Sequence, residues 1–115
     1  MGNLIVGQSD QVSAHWTYSV PLTQEKAREL AQVLPAVFGW KSYQVWFVHQ
    51  DLKNLHARVF DATRVIKLYT KGQNLGTLLH ELSHESAHGH GPAFRRNMTR
   101  YLHLVDNMRQ ALKEV

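Results

Sequence analysis

His80-Glu81-Leu82-Ser83-His84 decides the reading of this chain. It lies between the apolar run Leu75-Gly76-Thr77-Leu78-Leu79 and the stretch Glu85-Ser86-Ala87-His88-Gly89-His90-Gly91-Pro92. On a helix, positions i and i+4 stack on one face, one turn apart. Two imidazoles placed in this way can share one Zn²⁺, and the glutamate between them is positioned to accept a proton from water that the metal activates. Zinc supplies the Lewis acid and the carboxylate shuttles protons, a division of labour suited to hydrolysis of an amide bond. Leu75, Leu79 and Leu82 form an apolar stripe that packs this helix on a core.

Catalytic zinc takes three protein ligands and keeps one position for water. Two more histidines follow, His88 and His90. His88 is at i+4 from His84, and a third ligand one turn further along a straight helix points past the metal. The chain has to turn back. Gly89 and Gly91 permit the positive φ that ends a helix, and Pro92 suits the first turn of a new one. His90 sits in that break and is the expected third ligand. His88 is the runner-up.

The pattern His80-Glu81-Leu82-Ser83-His84 followed by His90-Gly91-Pro92-Ala93-Phe94 resembles the HExxH…HGPxF signature of SprT-like (Spartan-type) zinc metalloproteases, a family with members that degrade proteins crosslinked to DNA. Val65-Ile66-Lys67-Leu68 ahead of Leu78-Leu79-His80 also resembles that family's last strand leading into its active-site helix. The likeness covers about residues 40 to 102 and is strongest from 65 to 98. It implies a zincin-like fold, zinc held by His80, His84 and His90, and Glu81 as catalytic base. Two features depart from the family. The interval between His84 and His90 is shorter than in many members, and there is no cysteine for a following zinc ribbon. The same interval equals that of metzincins, but Ala87 stands at their glycine position. Short HExxH proteases that cleave repressors are the other protease alternative, and they lack the HGPxF element. A DNA- or protein-binding module built on structural zinc is the alternative outside enzymes.

Composition fits one domain over residues 1–115, with 43% hydrophobic residues and no cysteine. Disulfides and thiolate ligands are therefore excluded. No apolar run approaches the roughly 20 residues that span a bilayer, and no signal peptide is evident, so the expected location is cytoplasmic and no membrane is implied. The formal net charge of +4 permits nucleic-acid contact. Arg95, Arg96 and Arg100 lie off the apolar stripe of the last helix, and Lys53, Arg58, Arg64, Lys67 and Lys71 decorate the strands. Either set suits a solvated surface or a phosphate-binding face. The expected partners are a protein or peptide substrate and, through such a face, DNA.

The element order predicts an α+β fold. Asn3 to Val6 is a short apolar patch, and Ser13 to Val20 suits a strand or extended arm. A helix follows, with Thr23 as N-cap, Ala27, Leu30, Ala31 and Leu34 on its buried face, and Pro35 ending or kinking it. Tyr43–Val48, His56–Phe60 and Val65–Thr70 read as strands, with Asp61 to Arg64 as a hairpin turn. The zinc helix comes next, then a helix from Pro92 whose stripe is Phe94, Met98, Tyr101, Val105, Met108 and Leu112. Val65–Thr70 or Tyr43–Val48 are candidates for a substrate-binding sheet edge. Trp16, Trp40 and Trp46 are expected in the core, and Glu85 in solvent, with orientation of a ligand histidine as its alternative role. His15, His49, His56 and His103 are expected to lie on the surface or to be satisfied in the core. Tyr69, Tyr101 and His103 are candidates for stabilising an oxyanion.

Overall fold

The computed structural model describes residues 15–114, with side chains described for 15–109. The Asn3–Val6 patch and Leu112 therefore lie outside the described side chains. The fold is α+β: helix α1 (Gln24–Val37), strands β1 (Gln44–Val48), β2 (Ala57–Phe60) and β3 (Val65–Tyr69), helix α2 (Leu75–Leu82) and helix α3 (Pro92–Glu114). Among the described residues no helix is long and apolar enough to cross a membrane.

Helix α1 starts where Thr23 accepts the Lys26 amide at 3.1 Å, and it buries Ala27, Ala31 and Leu34. Pro35 does not end it; the helix continues to Val37, and Gly39, at φ +79°, lies just beyond. Proline lacks the N–H that would have bonded Ala31 O. Tyr43 N donates to that carbonyl instead, at 3.1 Å, and so ties the helix to the start of β1.

The sheet order is β1-β3-β2, with β1 parallel and β2 antiparallel to β3. Strand β3 is central, and its Ile66 and Leu68 are fully buried. Register sets the two faces. Val45, Ile66 and Val59 lie side by side on the inner face, as do Phe47, Leu68 and Ala57. Helices α1 and α2 pack there, and α3 joins the same core through Tyr101, Leu102 and Val105. The Tyr101 ring meets Phe38 and Trp40 at centroid distances of 5.4 and 6.0 Å.

Several expectations need correction. Residues 15–17 form a helical turn rather than a strand. The chain beyond them is strapped to the start of α2 by Leu75 N to Val20 O (2.9 Å) and Leu22 N to Gln73 O (3.1 Å). Trp40 packs on the core and Trp16 is partly buried against it, but Trp46 is 48% exposed on the outer sheet face. Met108 is also exposed, beyond the end of the apolar contact that Val105 makes. Being central, Val65–Tyr69 offers no edge. Strand β1 is an edge whose outward groups are already taken: Phe47 N donates to Gln24 Oε1 at 2.8 Å and Arg28 Nε donates to Val45 O at 3.0 Å. Side chains of α1 thus blunt that edge. The edge left without such a cap, among the described residues, is β2.

Candidate metal centre

Helix α2 is capped by Asn74, whose side chain accepts Thr77 N at 2.8 Å, and it buries Leu75, Leu78, Leu79 and Leu82. That apolar face fixes the helix rotation and brings His80 to the opposite, half-open side. The helix ends sooner than the glycines predict. Ser83 is its C-cap, with its hydroxyl turned back onto Leu79 O at 2.6 Å, and the next turns tighten to His84 N–Glu81 O and Glu85 N–Leu82 O, each 3.2 Å. Ser86, at φ 52°, completes the reversal. The break therefore precedes His88.

This early break decides which third histidine joins His80 and His84. His80, His84 and His90 bring ligand nitrogens to within 4.8 Å of one another. Their ring centroids form a nearly equilateral triangle, with sides of 5.3, 5.0 and 5.0 Å. Nε2 of His80 and Nε2 of His90 are 3.1 Å apart. Two ligands of tetrahedral zinc, each roughly 2.0–2.1 Å from the metal, stand about 3.3 Å apart. The donor set and its spacing therefore fit zinc. His88 points away and meets Asp61 Oδ2 at 3.1 Å in solvent.

The surroundings prepare the nitrogens. His84 Nδ1 lies 2.7 Å from Ala87 O, so the Nδ1–H tautomer donates there and leaves Nε2 free as ligand. Burial, followed by the neighbouring charges of His84 and His90, lowers the His80 pKa to about 4. At neutral pH it is the neutral imidazole that a metal needs. Phe94 closes the floor, its ring centroid 4.9, 4.7 and 4.8 Å from those of His80, His84 and His90. The first turn of α3 thus supplies an apolar base.

Glu81 is buried, and its Oε2 lies 4.0 Å from His80 Nε2. Among the described residues no hydrogen-bond donor reaches its carboxylate. Burial raises its pKa to about 7. A buried carboxylate without a hydrogen-bond donor is costly to the fold.

Glu85 is not solvated. Arg64 grips its carboxylate with both terminal guanidinium nitrogens, at 3.0 and 2.6 Å, and Tyr43 Oη donates at 3.3 Å. Burial and then the Glu85 charge push Tyr43 up to about 12. Arg64 ends the β2–β3 hairpin at φ 53° and also donates to Lys41 O and Ser42 O. From α3, buried Asn97 donates through Nδ2 to Ser83 O and Glu85 O, both at 3.0 Å. These clasps hold the carbonyls left open at the end of α2. They fix the turn that carries His84 and leads to His90. Neither Asn97 nor Arg64 has a motif that marks this role.

Arg95, Arg96 and Arg100 are exposed on α3. Arg96 and Arg100, one turn apart, share a face, while Arg95 faces elsewhere. The oxyanion candidates are not at the centre. Tyr101 is fully buried in the core, Tyr69 lies on the outer sheet face, and His103 is about 13 Å beyond Phe94 along α3. The tyrosine that packs beside the start of the histidine face is Tyr18. Its ring packs so closely on Gly76 that a Cβ there would come within 2.6 Å of it. Gly76, His80 and His84 follow one another at i+4 steps, so Tyr18 stands one turn before His80 on the ligand face. It is half exposed, and its pKa is raised by burial and then by the charge of Glu81. The sequence carries no spacing signal for Tyr18, because a strap from the N-terminal side delivers it.

Comparison with known protein families, with curated proteins and with solved structures yields no match.

Proposed function

We propose that this protein is a zinc-dependent endopeptidase of SprT-like, zincin type. The reading rests on one observation above all: three imidazoles converge with metal-ligand spacing beside a buried glutamate that has no donor among the described residues. A structural zinc site has no use for that carboxylate. Bound zinc supplies Lewis acidity and an activated water. Glu81 accepts the proton from the attacking water and returns it to the leaving amine. A pKa near neutrality suits both transfers. The role assigned to Tyr18 is to donate from its hydroxyl to the oxygen that gains charge at the scissile carbonyl, a role supported by its packing on Gly76 and its electrostatic coupling to Glu81. Phe94 and the neutral imidazoles keep the floor apolar. An extended substrate finds its open sheet edge at β2, because Gln24 and Arg28 occupy that of β1.

Members of the SprT-like family act on DNA-bound proteins, so the assay pairs zinc-loaded protein with an unfolded polypeptide, alone and with single-stranded or duplex DNA. Cleavage is expected to scale with zinc at one ion per chain and to stop on chelation. Tyr18→Phe should keep its zinc and lower kcat by about 10²- to 10³-fold. A wild-type rate for Tyr18→Phe removes that residue from the mechanism. No cleavage by zinc-loaded wild type under any of the three conditions contradicts the peptidase reading.

A further inference from the structure

The outer face of the sheet is the second unusual surface of this molecule. Trp46, Lys67 and Arg58 lie in one row across β1, β3 and β2, and Phe60 flanks that row on β2. Trp46 is 48% and Phe60 39% exposed. Each aromatic ring has a cation over it: Arg28 at 4.8 Å from Trp46 and Lys67 at 5.5 Å from Phe60. Arg28 is held in place by its bond to Val45 O.

Two features of this face work against stability. Arg58 and Lys67 are directly opposite each other, and like charges so placed repel. Among the described residues neither forms an ion pair, and no carboxylate occupies an outward position in these rows. Trp46 and Phe60 also leave a large part of their apolar surface in water. Charge alone would serve solubility; partly exposed rings interleaved with cations that have no carboxylate partner among the described residues are suited to a flat anionic ligand.

We infer that this sheet face binds single-stranded nucleic acid. Bases stack on the rings, and phosphates meet Arg28, Arg58 and Lys67. Two strands across and one residue pair along the sheet separate Trp46 from Phe60 by roughly 12 Å. Bases of a duplex are already paired and stacked on one another, whereas those of a single strand are free to splay onto rings this far apart. An acidic peptide would satisfy the cations but leave the rings unused. The site is independent of the hydrolytic reading, and binding is measured without catalysis.

The test is fluorescence anisotropy with labelled 20-mers of deoxythymidine and of uridine, a labelled duplex and a labelled poly-glutamate peptide. The single strands should bind tightest, with affinity falling steeply as salt rises. Binding to both single strands assigns a general site, and preference for one identifies which nucleic acid it takes. Trp46→Ala should weaken binding about five- to a hundredfold, the range of one lost stacking contact. Lys67→Gln should weaken it and flatten the salt dependence. Both positions are at the surface, and unchanged circular dichroism and zinc content confirm the fold. The inference is overturned if the single strands do not bind at low salt, or if both variants bind like wild type. It is equally overturned if only joint replacement of Arg95, Arg96 and Arg100 abolishes binding, or if poly-glutamate competes as well as the oligonucleotides.

Discussion

Replacing Glu81 by Gln is expected to leave zinc in place, lower peptide hydrolysis by about 10²- to 10⁴-fold, and make the metal-free protein more stable at pH 8. The first effect follows from role: glutamine keeps the shape but cannot take a proton. The stability gain follows from burial. The Glu81 pKa is raised to about 7 in the folded chain, against an ordinary 4.5. The folded state therefore prefers the protonated acid. As pH climbs from about 4.5 through 7, the folded state must give up that proton at a cost, which levels off above 7. A shift of this size corresponds to on the order of 3 kcal/mol, which Gln avoids. His80 works in the opposite sense. Its pKa falls to about 4, so its share of stability is lost as pH drops through 6.5 towards 4. That loss is common to both proteins and cancels between them. Chemical denaturation of the metal-free forms from pH 4 to 9 should show the curves diverging as pH rises. Adding zinc should narrow the gap, because the ion's charge favours the carboxylate. Parallel curves would mean that Glu81 is not held in a desolvated site.

The second large effect separates two neighbouring histidines. His90→Ala should lose zinc as severely as His84→Ala, whereas His88→Ala should bind zinc like wild type. His90 completes the triangle of imidazoles with its Nε2 3.1 Å from that of His80, while His88 is 88% exposed at its side chain and pairs with Asp61. Competition against a chromogenic chelator measures the affinities. Zinc loss in His88→Ala with retention in His90→Ala would place the third ligand at the wrong residue.

The convergence of His80, His84 and His90 is legible in the sequence, because an i, i+4 pair and a chain reversal are local events. The strand boundaries came within a residue, since alternation in Val65–Tyr69 and the aromatic content of Gln44–Val48 are local as well. What escaped depends on tertiary partners. The glycines suggested a break at Gly89 to Gly91, but Ser83 and Ser86 end the helix earlier, where Asn97 and the Arg64–Glu85 clasp receive it. Glu85 reads as a solvent residue until the hairpin brings Arg64 to it. Pro35 reads as a stop until Tyr43 supplies the missing donor. Trp46 reads as core by size, and only strand register places it on the outer face. Tyr18 reaches the ligand face by a strap across the start of α2, a contact no periodicity encodes.

The central claim is a zinc ion held by three imidazoles with its fourth position open beside Glu81. X-ray absorption spectroscopy at the zinc edge of the metal-loaded protein tests it most directly. The spectrum should fit three imidazole nitrogens and one oxygen at tetrahedral zinc distances, roughly 2.0–2.1 Å. It should be unchanged by His88→Ala. Four imidazoles, or a first shell that His88→Ala alters, would show a closed structural site and contradict the account.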